Sequence, residues 1–405
     1  MLESARAVAR PLRAGDLRAA VSGLRVQGVT LSSAVATFAV SRLTLLCLGL
    51  WSVGTFPLTT SGNGAWQEWN HLVPLNWVAI FSRWDGRWFI YVARDGYSFV
   101  PGQTGESNAS FAPLLPMLMW LGAHTIGWTD TQGLLAVGVV VSHVALLVAM
   151  IYLGVLVVRT FNDQSLAVRT LICLAVFPTS FFFSATYGEA VFLAPAVAAF
   201  VYAMEGRWWL AGLAGAVATL ARTYGVLIVI PLAYEYLQRN HFRPGPQIAW
   251  LGLIPLAVAA WMAYLWLQVG DPLAMIHAQA LWHRYLMPPW GTLATFFSGK
   301  IDWFTFKSNH SGLDLGFAIG YGVLVALSWR FKRKSLPIYA TLMYLPMICT
   351  NLLSSVPRFG LELFPAFIVL GQLTAERWRF ALYTFVGGAT SIYLMARWAL
   401  GYWVA

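Results

Sequence analysis

QGLLAVGVVVSHVALLVAMIYLGVLVV, residues 132–158, decides the fold. It contains no Asp, Glu, Lys or Arg. At about 1.5 Å of rise per residue, a helix of this length exceeds the roughly 30 Å hydrocarbon core of a bilayer. Working outward, apolar runs of the same character recur near residues 29–55, 167–184, 187–204, 208–221, 223–237, 246–268, 313–330, 335–353, 357–373 and 379–400, so about eleven transmembrane helices are expected. Residues 111–128 are also apolar, but Pro113, Pro116 and several glycines make them a poor straight helix, and they are left outside the span count. The runs at 208–221 and 223–237 are short for two straight crossings and are read as a bent pair around Arg222, Thr223, Tyr224 and Gly225. With 59% hydrophobic and 10% charged residues among 405, the composition departs from the soluble average of about 25% charged. No fixed-period repeat or low-complexity tract is present, so an all-α polytopic membrane protein of one domain, 1–405, is expected.

The net charge of +10 does not form a nucleic-acid surface, because no basic groove alternates with stacking aromatics in a soluble segment. The basic residues sit in short loops between spans: Arg159 and Arg169, Arg207, Arg239 and Arg243, the cluster Arg330, Lys332, Arg333 and Lys334, then Arg377 and Arg379. Together with Arg6, Arg10, Arg13, Arg18 and Arg25 in the tail 1–28, they place the N-terminus and these loops in the cytoplasm by the positive-inside bias. No small-residue cleavage site follows the first apolar run, which is read as an uncleaved anchor. Two long outer loops result, residues 56–131 and 269–312, whose Trp, Phe and Pro suit short interfacial helices such as 71–82, HLVPLNWVAIFS. Cys47, Cys173 and Cys349 each fall within a span and are read as small buried hydrophobes.

On the outer side the unusual polar residues collect: Asp85 and Asp95, Tyr187 with Glu189, Arg222, His277 with Gln279, His283 with Arg284, and Arg358. Ionisable groups at membrane depth are unfavourable, so their convergence on one side points to a site. The segment WDGRWFIYVARDGY, residues 84–97, puts Asp85 between Trp84 and Gly86 with Arg87 beyond. Two readings of Asp85 stand at this point, a reacting carboxylate and the N-cap of the helix that follows. Asp95 before Gly96 reads equally as a turn, and Glu189 equally as a first-turn acid favoured by the helix dipole. Arg222 and Arg358 read as phosphate ligands or as interfacial anchors. The histidines lack the HExxH or Cys/His spacing of a metal site, and no nucleophile elbow, P-loop or dinucleotide fingerprint is present. A carboxylate that deprotonates a hydroxyl, with arginines that meet a phosphate leaving group at the mouth of a lipid-lined cavity, suits inverting displacement at a sugar carbon. A transporter or flippase for a lipid-linked sugar is the alternative, although two related halves are not visible.

Six segments in order, WDGRWFIYVARDGY, ASFAPLLP, FPTSFFFSATYGEAVF, ATLARTYG, HAQALWHRY and VPRFGLELFPAF, span residues 84 to about 370. Together they resemble the PIG-V mannosyltransferase family within the GT-C glycosyltransferase superfamily. The resemblance implies a GT-C fold with a long first outer loop, a polyprenyl-phosphate-mannose donor, and a first-loop Asp as general base, which maps to Asp85. It places Glu189, Arg222 and Arg358 around donor phosphate or acceptor. Trp84, Arg87, Asp95, Tyr187, Gln279, His283 and Arg284 are expected beside them as further substrate-binding residues. Phe111–Ala112–Pro113 departs from the family's usual Phe-Phe-Pro, and Val100–Ser107 reads as an insertion, so the resemblance leaves the acceptor open.

Overall fold

The computed structural model describes residues 31–59, 77–304 and 310–404, and those residues form a helical bundle without named strands. Its helices are α1 (Leu31–Thr55), α2 (Gly86–Asp95), α3 (Leu114–Ile126), α4 (Thr131–Phe161), α5 (Gln164–Ala175), α6 (Gly188–Met204), α7 (Trp208–Ala221) and α8 (Val229–Arg239). They continue with α9 (Leu253–Val269), α10 (Ala274–Leu281), α11 (Pro289–Ser298), α12 (Gly312–Ser328), α13 (Ser335–Ile348), α14 (Val356–Phe359), α15 (Phe364–Leu373) and α16 (Arg377–Ala399). The basic tail 1–28 and residues 71–76 of the expected interfacial helix lie outside the described residues, and Ala79–Phe81 forms one 3-10 turn.

Helix α4 runs unbroken from an Asp130 cap, whose side chain accepts from the Gly133 N–H, to Asn162 in the left-handed region. It packs beside α6, which in turn packs beside α7, and the chain of neighbours continues to α9. Ala- and Gly-rich faces permit this closeness: a Cβ on Gly212 of α7 would lie 2.1 Å from the Trp250 carbonyl oxygen. The core is continuous from Leu45 of α1 through Phe181–Phe183 and α6 to Phe364 and Trp398.

Several expected spans take a different form. By length and apolarity, Leu31–Thr55, Thr131–Phe161 and Pro246–Val269 are each able to cross a bilayer; the broken pair Val356–Glu362 and Phe364–Leu373 makes a fourth. That pair was read as one span, 357–373, but it bends by 88° where Pro365 cannot continue the preceding turn. The 167–184 run stops as an α-helix at Ala175, with Pro178 next, and resumes as a 3-10 turn at Ser180–Ser184. The carbonyls freed there are capped by a buried intramembrane arginine, Arg42 of α1, which donates to Ala175 O at 3.0 Å and Ser180 O at 2.8 Å. The 111–128 stretch, read as a poor helix, is helical over α3. Pro113 sits at its cap and Pro116 in its first turn, where no intrahelical N–H donor is required. The remaining apolar helices are shorter, 10–17 residues each.

The bundle has two chemically distinct ends. At one, Arg159 pairs with Glu205, Arg239 donates to Met204 O at 2.9 Å, and Arg333 lies 3.4 Å from Glu235. At the other, roughly 24 Å away along α6 at 1.5 Å per residue, Glu189 meets Arg222. The two long loop segments come together at this second end: Val92, Tyr97, Phe99 and Ala109 pack with Trp261 and Leu265 of α9 and with Ala274 and Ala278 of α10.

Candidate active site

The Asp85 turn is fixed from below. Trp84 has φ 52°, in the left-handed region that non-glycine residues rarely occupy. The Tyr187 hydroxyl holds the turn there, accepting from the Asp85 N–H at 2.9 Å and donating to Arg83 O at 3.1 Å. Next to it the Thr186 N–H donates to Phe81 O at 2.9 Å, so the residues just before α6 clasp the segment just before α2.

Asp85 stands at the N-cap of α2, yet its side chain makes no capping hydrogen bond. Its carboxylate instead forms an ion pair with Arg358, Nη2 to Oδ2 2.8 Å, with side-chain exposures of 11% and 10%. Arg358 belongs to the short helix α14, whose cap Ser355 has φ 73°. Pro357 O accepts from Thr179 at 2.8 Å and from Tyr321 at 3.2 Å, which anchors this helix to the 3-10 turn and to α12. Gly360 is required next to it, because a Cβ there would lie 2.0–2.5 Å from three atoms of the Tyr321 ring.

A second charged group lies alongside. Glu189, fully buried in the first turn of α6, accepts from Arg222 Nη2 at 2.6 Å. Glu362, also fully buried, accepts from Arg222 Nε at 2.8 Å and from the Tyr224 hydroxyl at 2.6 Å. Arg222 reaches both because the chain is extended at its position, φ −150° and ψ 125°, between α7 and the turn Thr223–Ile228. The bent pair read around Arg222 is thus a helix, a one-residue break and a 3-10 entry into α8. Glu189 serves as more than a dipole partner, since it is one end of a Glu–Arg–Glu triad that ties α6, α7 and the 360–362 turn together.

The long loops supply the rest. Arg87, buried on α2, pairs with Glu106 at 3.1 Å and lies 4.9 Å from the Trp88 ring centre. Burial holds the Glu106 carboxyl pKa above its ordinary value against the opposing charge of Arg87. Trp88 stacks on Phe111 at 5.9 Å and meets Trp282 edge-on at 5.4 Å, and the Trp282 Nε1–H donates to Ser107 O at 3.2 Å, so the two long loops meet here. Arg284 donates to Ser354 O at 2.9 Å, and among the described residues no carboxylate lies within 4.0 Å of it. Burial first, then the charge of Arg358, lower its pKa to about 10.

Three expected site residues stand apart. Asp95 is ten residues beyond Asp85 on the same helix, about 15 Å along the axis. It is exposed and pairs with Arg94 at 2.7 Å; Gly96, φ 79°, ends the helix there as the turn reading anticipated. His283 is exposed with φ 54°, and its bonds run through the backbone: the N–H donates to Ala280 O at 2.9 Å and the carbonyl accepts from Asn351 at 2.8 Å. Gln279 is half-buried on α10, and its carbonyl accepts from the Arg284 N–H at 3.0 Å. His277 is exposed and bonded to Asp271 at 2.6 Å. Among the described residues no group of three or more His, Cys, Asp or Glu is disposed as a metal site. An apolar groove of about 370 Å³ runs between α1 and α4, lined by residues including Phe38, Trp77, Phe81 and His143; Asp85 and Arg358 are not among its lining residues.

Glu362 and Tyr224 are site members that the sequence reading passed over. Glu362 had a signal, a lone carboxylate within the apolar VPRFGLELFPAF, of the kind that marks function in a span. Tyr224 had none, because its role depends on Glu362 being brought to it.

A family model described as "Mannosyltransferase (PIG-V)" matches residues 35–243. GPI alpha-1,6-mannosyltransferase 2 of Rattus norvegicus is 32% identical over 158 residues, 36% of this chain and 30% of that protein. The Mus musculus protein of the same name is 31% identical over 156 residues, 36% of this chain and 29% of that one. The chain therefore matches about a third of the length of these relatives. The oligosaccharyltransferase of Archaeoglobus fulgidus in complex with an inhibitory peptide and a dolichol-phosphate aligns with a TM-score of 0.47 at 15% identity, covering 92% of this chain and 56% of that one. Its apo form aligns at 0.46 and 14% identity, covering 91% and 56%.

Proposed function

Because the chain belongs to the PIG-V mannosyltransferase family, we propose that it is an inverting transferase of the GT-C type that moves mannose from a polyprenyl-phosphate-mannose donor to a hydroxyl of a lipid-linked or surface glycan. The site lies at the extracytoplasmic face, with the N-terminus in the cytoplasm. Asp85 is the general base. Its carboxylate takes the proton of the acceptor hydroxyl as that oxygen bonds to the anomeric carbon. The bond from that carbon to the phosphate oxygen breaks, its electron pair stays on the phosphate, and polyprenyl phosphate leaves.

The observation that carries this reading is the Asp85–Arg358 pair at 2.8 Å, in which the carboxylate is left uncommitted to capping and is matched by a cation from a distant part of the chain. Arg284, without a carboxylate partner among the described residues, is the group assigned to the leaving phosphate. Arg222 is already shared by two buried carboxylates and is assigned to holding the helix ends in register. Trp84, Arg87 and Tyr187 are assigned to shaping the pocket around the sugar.

The test is purified protein in detergent, given synthetic polyprenyl-phosphate-mannose and a glycolipid extract. Transfer, with the product anomer opposite to that of the donor, is the expected result. Donor binding without transfer under these conditions, where no membrane barrier exists, would point instead to a transporter or flippase.

A further inference from the structure

The C-terminal end of α16, with the residues that follow it, is built into the candidate site although it lies far outside the matched residues 35–243. Three contacts seat it. Trp398 packs edge-on against Phe182 at 4.9 Å and against Tyr187 at 5.6 Å. The buried Arg83, two residues before Asp85, donates from Nη2 to Ala399 O at 3.0 Å. The Thr59 N–H donates to Leu400 O at 2.9 Å. Gly401, φ 88°, then turns the chain back. Trp403 is delivered against Trp84, ring centres 5.3 Å apart at 70°, and against Arg358, 5.7 Å from guanidinium to ring centre.

Arg358 is consequently boxed by three aromatic faces, Phe359 at 4.9 Å, Tyr187 at 5.1 Å and Trp403 at 5.7 Å. Tyr187 and Phe359 come from elements that also hold the rest of the site, whereas Trp403, packed at the edge of the core, turns its ring to this wall and to Trp84. A guanidinium held over aromatic faces keeps its charge while its direction is restricted. Here that direction aims Nη2 at Asp85 Oδ2. Trp403 is half-buried, so it is accessible from outside as well as in contact with the pair.

We infer that Trp403 is a positioning residue for the transfer reaction, acting through Arg358 to hold the Asp85 carboxylate in its working orientation. The inference rests on the reading of Asp85 as the base. The experiment compares Trp403→Phe, which keeps an aromatic face, with Trp403→Leu and Trp403→Met, which keep bulk without one; two apolar probes are used in case one does not fold. Each is assayed as the monodisperse detergent fraction, with kcat and donor KM measured separately and Asp85→Asn run beside them. The expected result is kcat within about threefold of wild type for Phe and about tenfold lower for Leu or Met, with donor KM moving less than threefold. On an Arg358→Gln background the Leu change should add no further loss, because the group it acts through is gone. Equal kcat for Phe and Leu, or full additivity with Arg358→Gln, would overturn the inference. An active Asp85→Asn protein would instead overturn the reading beneath it.

Discussion

The hydroxyl of Tyr187 lies 2.9 Å from the backbone nitrogen of Asp85 and 3.1 Å from the carbonyl oxygen of Arg83, and so holds a left-handed tryptophan between them. The position of the carboxylate is therefore set by the side chain that precedes α6 rather than by the helix that Asp85 caps. Tyr187→Phe keeps the ring and removes both bonds, leaving a buried N–H unmatched at a loss of roughly 1–2 kcal/mol. The expected effect is a fall in kcat of about tenfold with donor affinity little changed. Steady-state kinetics in detergent check it, and an unaltered kcat would mean that the turn is held by other contacts.

Arg222 carries a different burden. Glu189 and Glu362 are fully buried, and both depend on this one guanidinium. Removing one partner of a buried ion pair strands the other charge and is destabilising by roughly 3–5 kcal/mol. Arg222→Ala should therefore lower the thermal midpoint of the detergent-solubilised protein by several degrees. Glu362→Gln, which leaves the Glu189 contact and an amide oxygen for Tyr224, should lower it much less. Equal effects of the two changes would remove the triad from the account.

Gly360 offers a steric test that changes no charge. A methyl group there collides with the Tyr321 ring, whose hydroxyl fixes Pro357 one residue before Arg358. Gly360→Ala should reduce both stability and kcat, and adding Tyr321→Leu should restore part of the stability, since the clash is relieved. Differential scanning fluorimetry of the single and double variants decides between relief and simple accumulation of damage.

Arg284 is expected to act on the donor. Arg284→Ala should raise donor KM about tenfold, by loss of one charge-assisted phosphate contact, with a smaller effect on kcat. Lys at this position should recover part of the binding because it keeps the charge without the planar fork. A donor titration with each variant measures this, and an unchanged KM in the Ala protein would remove Arg284 from the phosphate.

Much of this architecture was legible in the chain, and the parts that were not have physical reasons. Residues 132–158 read as a long helix because nothing in them interrupts the apolar pattern, and α4 is that helix. The 111–128 stretch misled because proline is harmless in a first turn and damaging in an interior, and only the cap position tells which applies. Residues 357–373 read as one span because their apolarity is continuous, which hides the 88° break ahead of Pro365, a residue without the N–H to continue the preceding turn. Asp85, Glu189, Arg222, Arg284 and Arg358 were visible as charges among apolar neighbours. Which charge meets which was not, since the Asp85–Arg358 and Arg222–Glu362 contacts join segments far apart in sequence. Asp95 was drawn in by sharing a motif with Asp85, although helical rise carries it away from the site.

The measurement that bears most directly on the central claim is the turnover of Asp85→Asn beside wild type, with folded fraction and donor binding determined on the same preparations. Asn keeps the size of the side chain and removes its ability to take a proton. If Asp85 is the base, transfer from polyprenyl-phosphate-mannose falls by at least about 10²-fold while donor binding stays near wild type. Wild-type transfer by the folded Asp85→Asn protein would contradict the account.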